Sequence, residues 1–145
     1  GNIPCIDQST NFIGGFTNDK DALHMEPLPI IIFGDHTRIL KYIDFPFASG
    51  ADGTQLIYPK GENISVEYLY LSLINVNLSN YYYARHFKFL KECEILISSS
   101  ELIIKFTNII KPIFNQIINL KRQIILLSKA RDLLIPKLIN GEIEV

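Results

Sequence analysis

From Ser98 to Pro136 the apolar side chains return at spacings of three and four: Ile103, Phe106, Ile110, Ile113, Ile117, Leu120, Ile124 and Leu127 hold the repeat without a miss. That periodicity predicts one long helix carrying a coiled-coil seam, which wants a partner helix to cover it. At about 1.5 Å per residue the stretch would be roughly 55 Å long, more than a compact domain of this size is wide. A core helix folded back on its own domain is the competing reading. Such a helix drifts toward a period of 3.6 within four heptads, and this pattern does not. Ser98 with Glu101 three residues on predicts a capping box at the start, Pro112 a kink or short break, and Pro136 with Gly141 the stop.

Upstream, the pattern changes to short apolar runs between turn residues. Asn2 to Asp7 predicts a strand, and Gly14-Gly15 a turn. Ile30 to Phe33, led in by Pro27-Leu28-Pro29, predicts a buried strand ending at Gly34. Arg38 to Phe47 alternates loosely, Ser49 to Thr54 is a small, Gly-rich surface loop, and Gln55 to Tyr58 is a further strand. Val66, Leu69 and Leu73 predict a short helix from about Ser65 to Ile74. Tyr81 to Lys91 is dense in aromatic and basic side chains, and Glu94 to Ile97 reads as a last strand. Strands first and one long helix late define an α+β class: a small mixed domain over 1–97, the long helix over 98–136 and a tail over 137–145.

Composition narrows the setting. A hydrophobic content of 48%, with seven Tyr and nine Phe, excludes a disordered chain. The most apolar region is interrupted by Lys105, Asn108, Lys111, Asn115, Gln116 and Asn119, which argues against a membrane span. Cys5 and Cys93 stand far apart with no Cys-x-x-Cys, against zinc and against a disulfide framework. Without a basic, then apolar, leader the expected compartment is the cytoplasm. The chain opens without Met on an apolar segment, so a fragment of a longer polypeptide is expected. Residues 1–100 carry seven Lys and Arg against eleven Asp and Glu, whereas 101–145 carry seven against four. An acidic domain would hold DNA weakly alone, because phosphate contacts supply most non-specific affinity.

Asp35-His36, with Arg38 nearby, is the pair that could do general-base work, but neighbours on a strand point to opposite faces. A polar turn, or contacts from Thr37, Arg38 and Lys41 to a ligand's phosphates, are the other readings. The loop Ser49 to Thr54 lacks the Lys and the glycine spacing of a nucleotide-phosphate loop; it reads as a turn, or as a DNA contact through backbone N–H groups. The rings and cations of Tyr81 to Lys91 fit stacking and phosphate contacts as well as they fit a core.

Four segments in order, GNIPCIDQSTNFIGGFTNDKD, LPIIIFGDHTRILKYIDFPFASGADGTQLIYPK, YARHFKFLKE and RDLLIPKLINGEIEV, resemble the specificity subunit of a Type I restriction-modification system. The ending is the strongest, resembling an L-x-x-x-R-D-x-L-L-P-K-L-x-x-G pattern over Leu127 to Gly141, with Ile135 as an extra residue before Pro136. The resemblance implies a C-terminal half: one target-recognition domain, its opening segment missing, plus its long conserved helix. It implies a non-catalytic chain that reads one half of a bipartite double-stranded DNA target while the helix sets the distance to the other half. It also implies modification (methyltransferase) subunits and a restriction subunit as partners. S-adenosylmethionine, ATP and Mg belong to those subunits, so no cofactor is expected here. A half subunit could pair with a copy of itself or a second half through Ile103 to Leu127. The expected DNA-reading residues are Gln8, Ser9, Asn11, Thr37, Arg38, Ser49, Asp52, Thr54, Arg85 and His86, with Lys41 and Lys88 on phosphates. Two other classes compete: a coiled-coil interaction module that ignores DNA, and an enzyme built on Asp35 and His36.

Overall fold

The apolar run after Pro29 becomes the strand on which everything else is laid. The computed structural model describes residues 1–50, 52–61, 63–78 and 85–143. Seven strands come first: β1 (Ile3–Ile6), β2 (Gly15–Thr17), β3 (Leu23–His24), β4 (Ile30–Gly34), β5 (Leu40–Ile43), β6 (Phe47–Ser49) and β7 (Thr54–Ile57). Three helices follow, α1 (Val66–Ile74), α2 (Phe87–Glu92) and α3 (Ser100–Ile139). The architecture is therefore α+β, two small sheets and then a long C-terminal helix.

One sheet has the order β2-β1-β6-β3, with β1 antiparallel to β2 and parallel to β6. The other is the antiparallel β5-β4-β7, in which Ile32 stands opposite both Lys41 and Leu56. Every residue of β4 is buried, so both of its faces are covered, and its alternating side chains separate two layers of core. Ile30 and Ile32 join Ile6, Ile43 and Phe47 in one cluster, against which Phe12, Ile13, Leu28 and Phe45 pack. On the alternate positions Phe33 lies 6.1 Å from the Phe87 ring of α2. Tyr42 of β5 meets Tyr70 of α1 edge-on at 5.9 Å. Tyr42 also donates its hydroxyl to Glu67 Oε1 at 2.7 Å, which gives the buried carboxyl a partner; burial pushes the Tyr42 hydroxyl well above its ordinary range.

Several expectations need correction. The Gly14-Gly15 pair is not the turn. Gly15 opens β2, and the reversal is made by the preceding residues, where Asp7 Oδ1 accepts both the Ser9 N–H (3.0 Å) and the Ser9 hydroxyl (2.6 Å). Glu94 to Ile97 pairs with no strand among the described residues. It is held by the Tyr68 hydroxyl, which donates to the Leu96 carbonyl at 2.9 Å and accepts from the Ser98 N–H at 3.2 Å. The long helix begins at Ser100, so Ser98 and Glu101 form no capping box. Ser99 Oγ instead accepts from the Leu102 N–H at 3.5 Å, while Glu101 takes Lys105 at 2.6 Å. Pro112 and Pro136 both lie inside α3. Each removes one N–H from the ladder, which resumes beyond it. The stop comes at Gly141, where φ is 69° and the N–H groups of Gly141 and Glu142 return to the carbonyls of Leu138 and Lys137.

The chain divides into two compact units, Gly1–Asn108 and Ile109–Val145, with the division inside α3. No helix among the described residues is long and apolar enough to cross a membrane.

Candidate nucleic-acid interface

Four stretches far apart in sequence meet where β4 ends. Gly34 brings the β4–β5 turn so close to the β1–β2 loop that a Cβ there would stand 2.7 Å from the Cβ of Gln8. Gln8 then accepts the His36 N–H through Oε1 at 3.1 Å. The Asp35 N–H donates to the Gly53 carbonyl at 2.8 Å, tying in the β6–β7 loop, and the His86 N–H donates to the Asp35 carbonyl at 2.9 Å, tying in the entry to α2. Gly53 sits at φ 90°, a conformation that side chains with a Cβ rarely adopt. Arg38 is also left-handed, at φ 60°. Its N–H returns to the Gly34 carbonyl (2.8 Å), and its guanidinium donates to the Leu78 carbonyl at 3.1 Å. A non-glycine residue held there is a strained position of the kind that collects at functional sites.

Around this junction Asn11, His36, Thr37, Arg38, Ser49, Asp52, Arg85 and Lys88 are exposed, and Gln8, Ser9 and Thr54 are half-buried. The surface therefore presents amide, hydroxyl, imidazole, carboxylate and guanidinium groups, the types that read base edges. Among the described residues neither Arg38 nor Arg85 is in an ion pair, and the Arg38 guanidinium is anchored by the Leu78 carbonyl. Lys88 reaches over the Phe89 ring at 4.6 Å. Ala51 in the β6–β7 loop and residues 81–84 of the aromatic and basic run lie outside the described residues.

Three of the expected contacts have their polar ends inside: Lys41, His86 and Thr54, whose hydroxyl is buried without a partner among the described residues. Lys41 is 5% exposed, because it shares a face of β5 with the core residue Ile43. Its ammonium donates to the Asn11 carbonyl at 2.6 Å and to Asp7 Oδ1 at 3.4 Å. It therefore fixes the β1–β2 loop and does not face a phosphate. Burial pushes its amine below the ordinary range, against the pull of Asp7. The Ser9 hydroxyl, and then the Lys41 ammonium, hold the Asp7 carboxyl low. His86 is likewise 5% exposed, and its Nδ1 has no partner among the described residues.

The Asp35–His36 pairing that general-base chemistry requires is not formed. Asp35 is buried, with Oδ1 accepting the Phe87 N–H at 2.8 Å, while His36 is turned to solvent. His36, absent from the expected DNA-reading set, belongs with it by position. The signal was the polar Gly34-Asp35-His36-Thr37 turn itself.

Along α3 the seam divides. Ile103 is buried, and Phe106 meets the Tyr68 ring edge-on at 5.8 Å, both within the first unit. Ile110 is half-buried. Ile113, Ile117, Leu120, Ile124 and Leu127 are 43–68% exposed, whereas Phe114 and Ile118 are buried.

The fold and the site define a class: an α+β domain that gathers polar loops at one end of a central strand, continued by a long helix bearing exposed apolar residues. Over 51 residues the chain is 43% identical to the Type I restriction enzyme MjaIX specificity subunit of Methanocaldococcus jannaschii. The match covers 35% of this chain and 12% of that protein, so the chain spans only a small part of the length of the curated relative. No protein-family model and no solved structure matches.

Proposed function

We propose that this chain is the DNA-recognition part of a Type I restriction-modification specificity subunit, equivalent to one target-recognition domain with its long helix. The observation that carries this reading is the convergence of the β1–β2, β4–β5 and β6–β7 loops with the entry to α2. Gln8, Ser9, Asn11, Thr37, Arg38, Ser49, Asp52, Thr54 and Arg85, with His36, lie on or beside these segments, which supports a shared reading surface. The partial similarity to the MjaIX subunit supports it independently. In this reading the domain reads one half of a bipartite target in double-stranded DNA, and the helix sets the distance to the other half and carries the modification and restriction subunits. Phosphate grip comes largely from those partners, which reconciles sequence reading with an acidic domain. Lys88 is the phosphate contact retained from the expected pair. The chain is non-catalytic and acts in the cytoplasm; S-adenosylmethionine, ATP and Mg act on the partner subunits.

The test is competition binding by the complex of this chain with its methyltransferase subunit. One duplex sequence should be retained against a scrambled duplex of equal length, and Arg85→Ala should weaken that specific binding by about 1–3 kcal/mol. A complex that holds both duplexes equally would overturn the reading, and unchanged affinity in Arg85→Ala would remove Arg85 from the reading set.

A further inference from the structure

Asp35 drew attention in the sequence as half of a catalytic pair, and the structure gives it a different use. All three of its polar groups are engaged, and they reach two different segments. Its N–H donates to the Gly53 carbonyl at 2.8 Å, its carbonyl accepts the His86 N–H at 2.9 Å, and its carboxyl Oδ1 accepts the Phe87 N–H at 2.8 Å. The residue is 3% exposed and follows directly on β4, whose five residues are all buried. A group fixed at the end of a fully buried strand therefore holds the β6–β7 loop on one side and the entry to α2 on the other. Those two segments carry Asp52, Thr54, Arg85 and Lys88, while the turn that Asp35 itself opens carries His36, Thr37 and Arg38. Two of the three bonds use backbone atoms and survive most substitutions. The carboxyl bond to Phe87 depends on the side chain and, beside the His86 bond, is the second tie between the turn that carries Arg38 and the segment that carries Arg85.

We infer that Asp35 is a positioning residue for sequence discrimination: its side chain touches no base, and it fixes the register between the β4–β5 turn and the Arg85 segment so that both address the same groove. This rests on the DNA-reading function proposed above. Contacts to base edges discriminate only when donors and acceptors are held in place, and a mismatched base pair costs a well-held site about 1–3 kcal/mol. A loosened register lowers that discrimination while leaving binding to DNA in general, which phosphate contacts supply, in place.

The experiment uses the complex with the methyltransferase subunit and compares methylation rates at the target and at single-mismatch duplexes, with thermal melting followed in parallel. Asp35→Asn keeps an oxygen at the position that accepts the Phe87 N–H and should keep the wild-type ratio within about twofold. Asp35→Ala removes that oxygen, and the ratio should fall by roughly tenfold, the scale of one lost base-pair discrimination. Non-specific DNA binding should stay unchanged. A ratio unaltered in a folded Asp35→Ala complex, or lost equally in Asp35→Asn, overturns the inference. Should Asp35→Ala fail to fold, Asp35→Ser leaves a small polar group whose oxygen stops one bond short of the Phe87 N–H; an unaltered ratio there overturns it too. A wild-type complex with no sequence preference would instead sink the proposed function itself.

Discussion

Asp7 shows how a single side chain can organise a loop that carries reading residues. Its carboxylate, 31% exposed, accepts from the Ser9 N–H and hydroxyl and from the Lys41 ammonium. These partners hold it below its ordinary 3.8. A carboxyl depressed by folding stabilises the native state above its unfolded value, and that contribution is lost as pH falls through the folded value. The advantage of the wild type over Asp7→Asn should therefore be full at pH 6 and shrink below about pH 3.8. Urea midpoints at pH 6 and pH 3 measure it; an equal gap at both would show that the carboxylate charge contributes nothing. Individual residues were only partly legible in the sequence. Exposed Arg38, Thr37, Asn11 and Arg85 followed from residue type and turn context. Lys41 did not, because a lysine in a loosely alternating run gives no sign that Ile43, two positions on, faces the interior. Asp35 was noticed for the wrong reason: its neighbour in sequence is exposed, and its real partners lie in the β6–β7 loop and at Phe87.

Among the elements, β4 and α1 were the most legible because each satisfies its pattern locally. Four consecutive β-branched or aromatic residues between Pro29 and Gly34 left no alternative to a buried strand. Ser65 ahead of the α1 repeat caps it, with Oγ accepting the Tyr68 N–H at 3.1 Å. Ser65 also accepts the Thr107 hydroxyl at 2.8 Å, which joins the start of α1 to α3 within the first unit. Ser65→Ala should therefore cost about 1–2 kcal/mol, at the upper end for a helix cap, read as a shift in urea midpoint. A shift near zero would mean that water replaces both bonds freely. Where a tertiary partner decides, the local pattern misleads. Glu94 to Ile97 has strand-like residues, yet Tyr68 takes its backbone before any strand can. β2 and β3, at three and two residues, are too short for alternation to register at all.

At the scale of the whole molecule, the second unit carries Ile113, Ile117, Leu120, Ile124 and Leu127 in contact with solvent. We propose that these repeated exposed apolar residues, at coiled-coil spacing, form a surface that a second copy of the chain covers. The chain should run in solution at twice its 16.6 kDa mass, and Leu120→Asp with Ile124→Asp should return it to a monomer. A wild-type monomer with its helix content intact would contradict the pairing. The same helix was legible as a helix from its repeat, and the repeat alone could not tell that Ile103 and Phe106 are already engaged in the first unit while the later positions are open. We propose that the gathered loops choose a DNA sequence for a methyltransferase. The test is to supply the complex of this chain and its methyltransferase subunit with S-adenosylmethionine and genomic-length DNA, and to map every methylated base. Methylation should be confined to one defined sequence, with its preference shifted when the β4–β5 and β6–β7 loops are changed; methylation that ignores sequence, or a preference indifferent to those loops, would overturn the proposal.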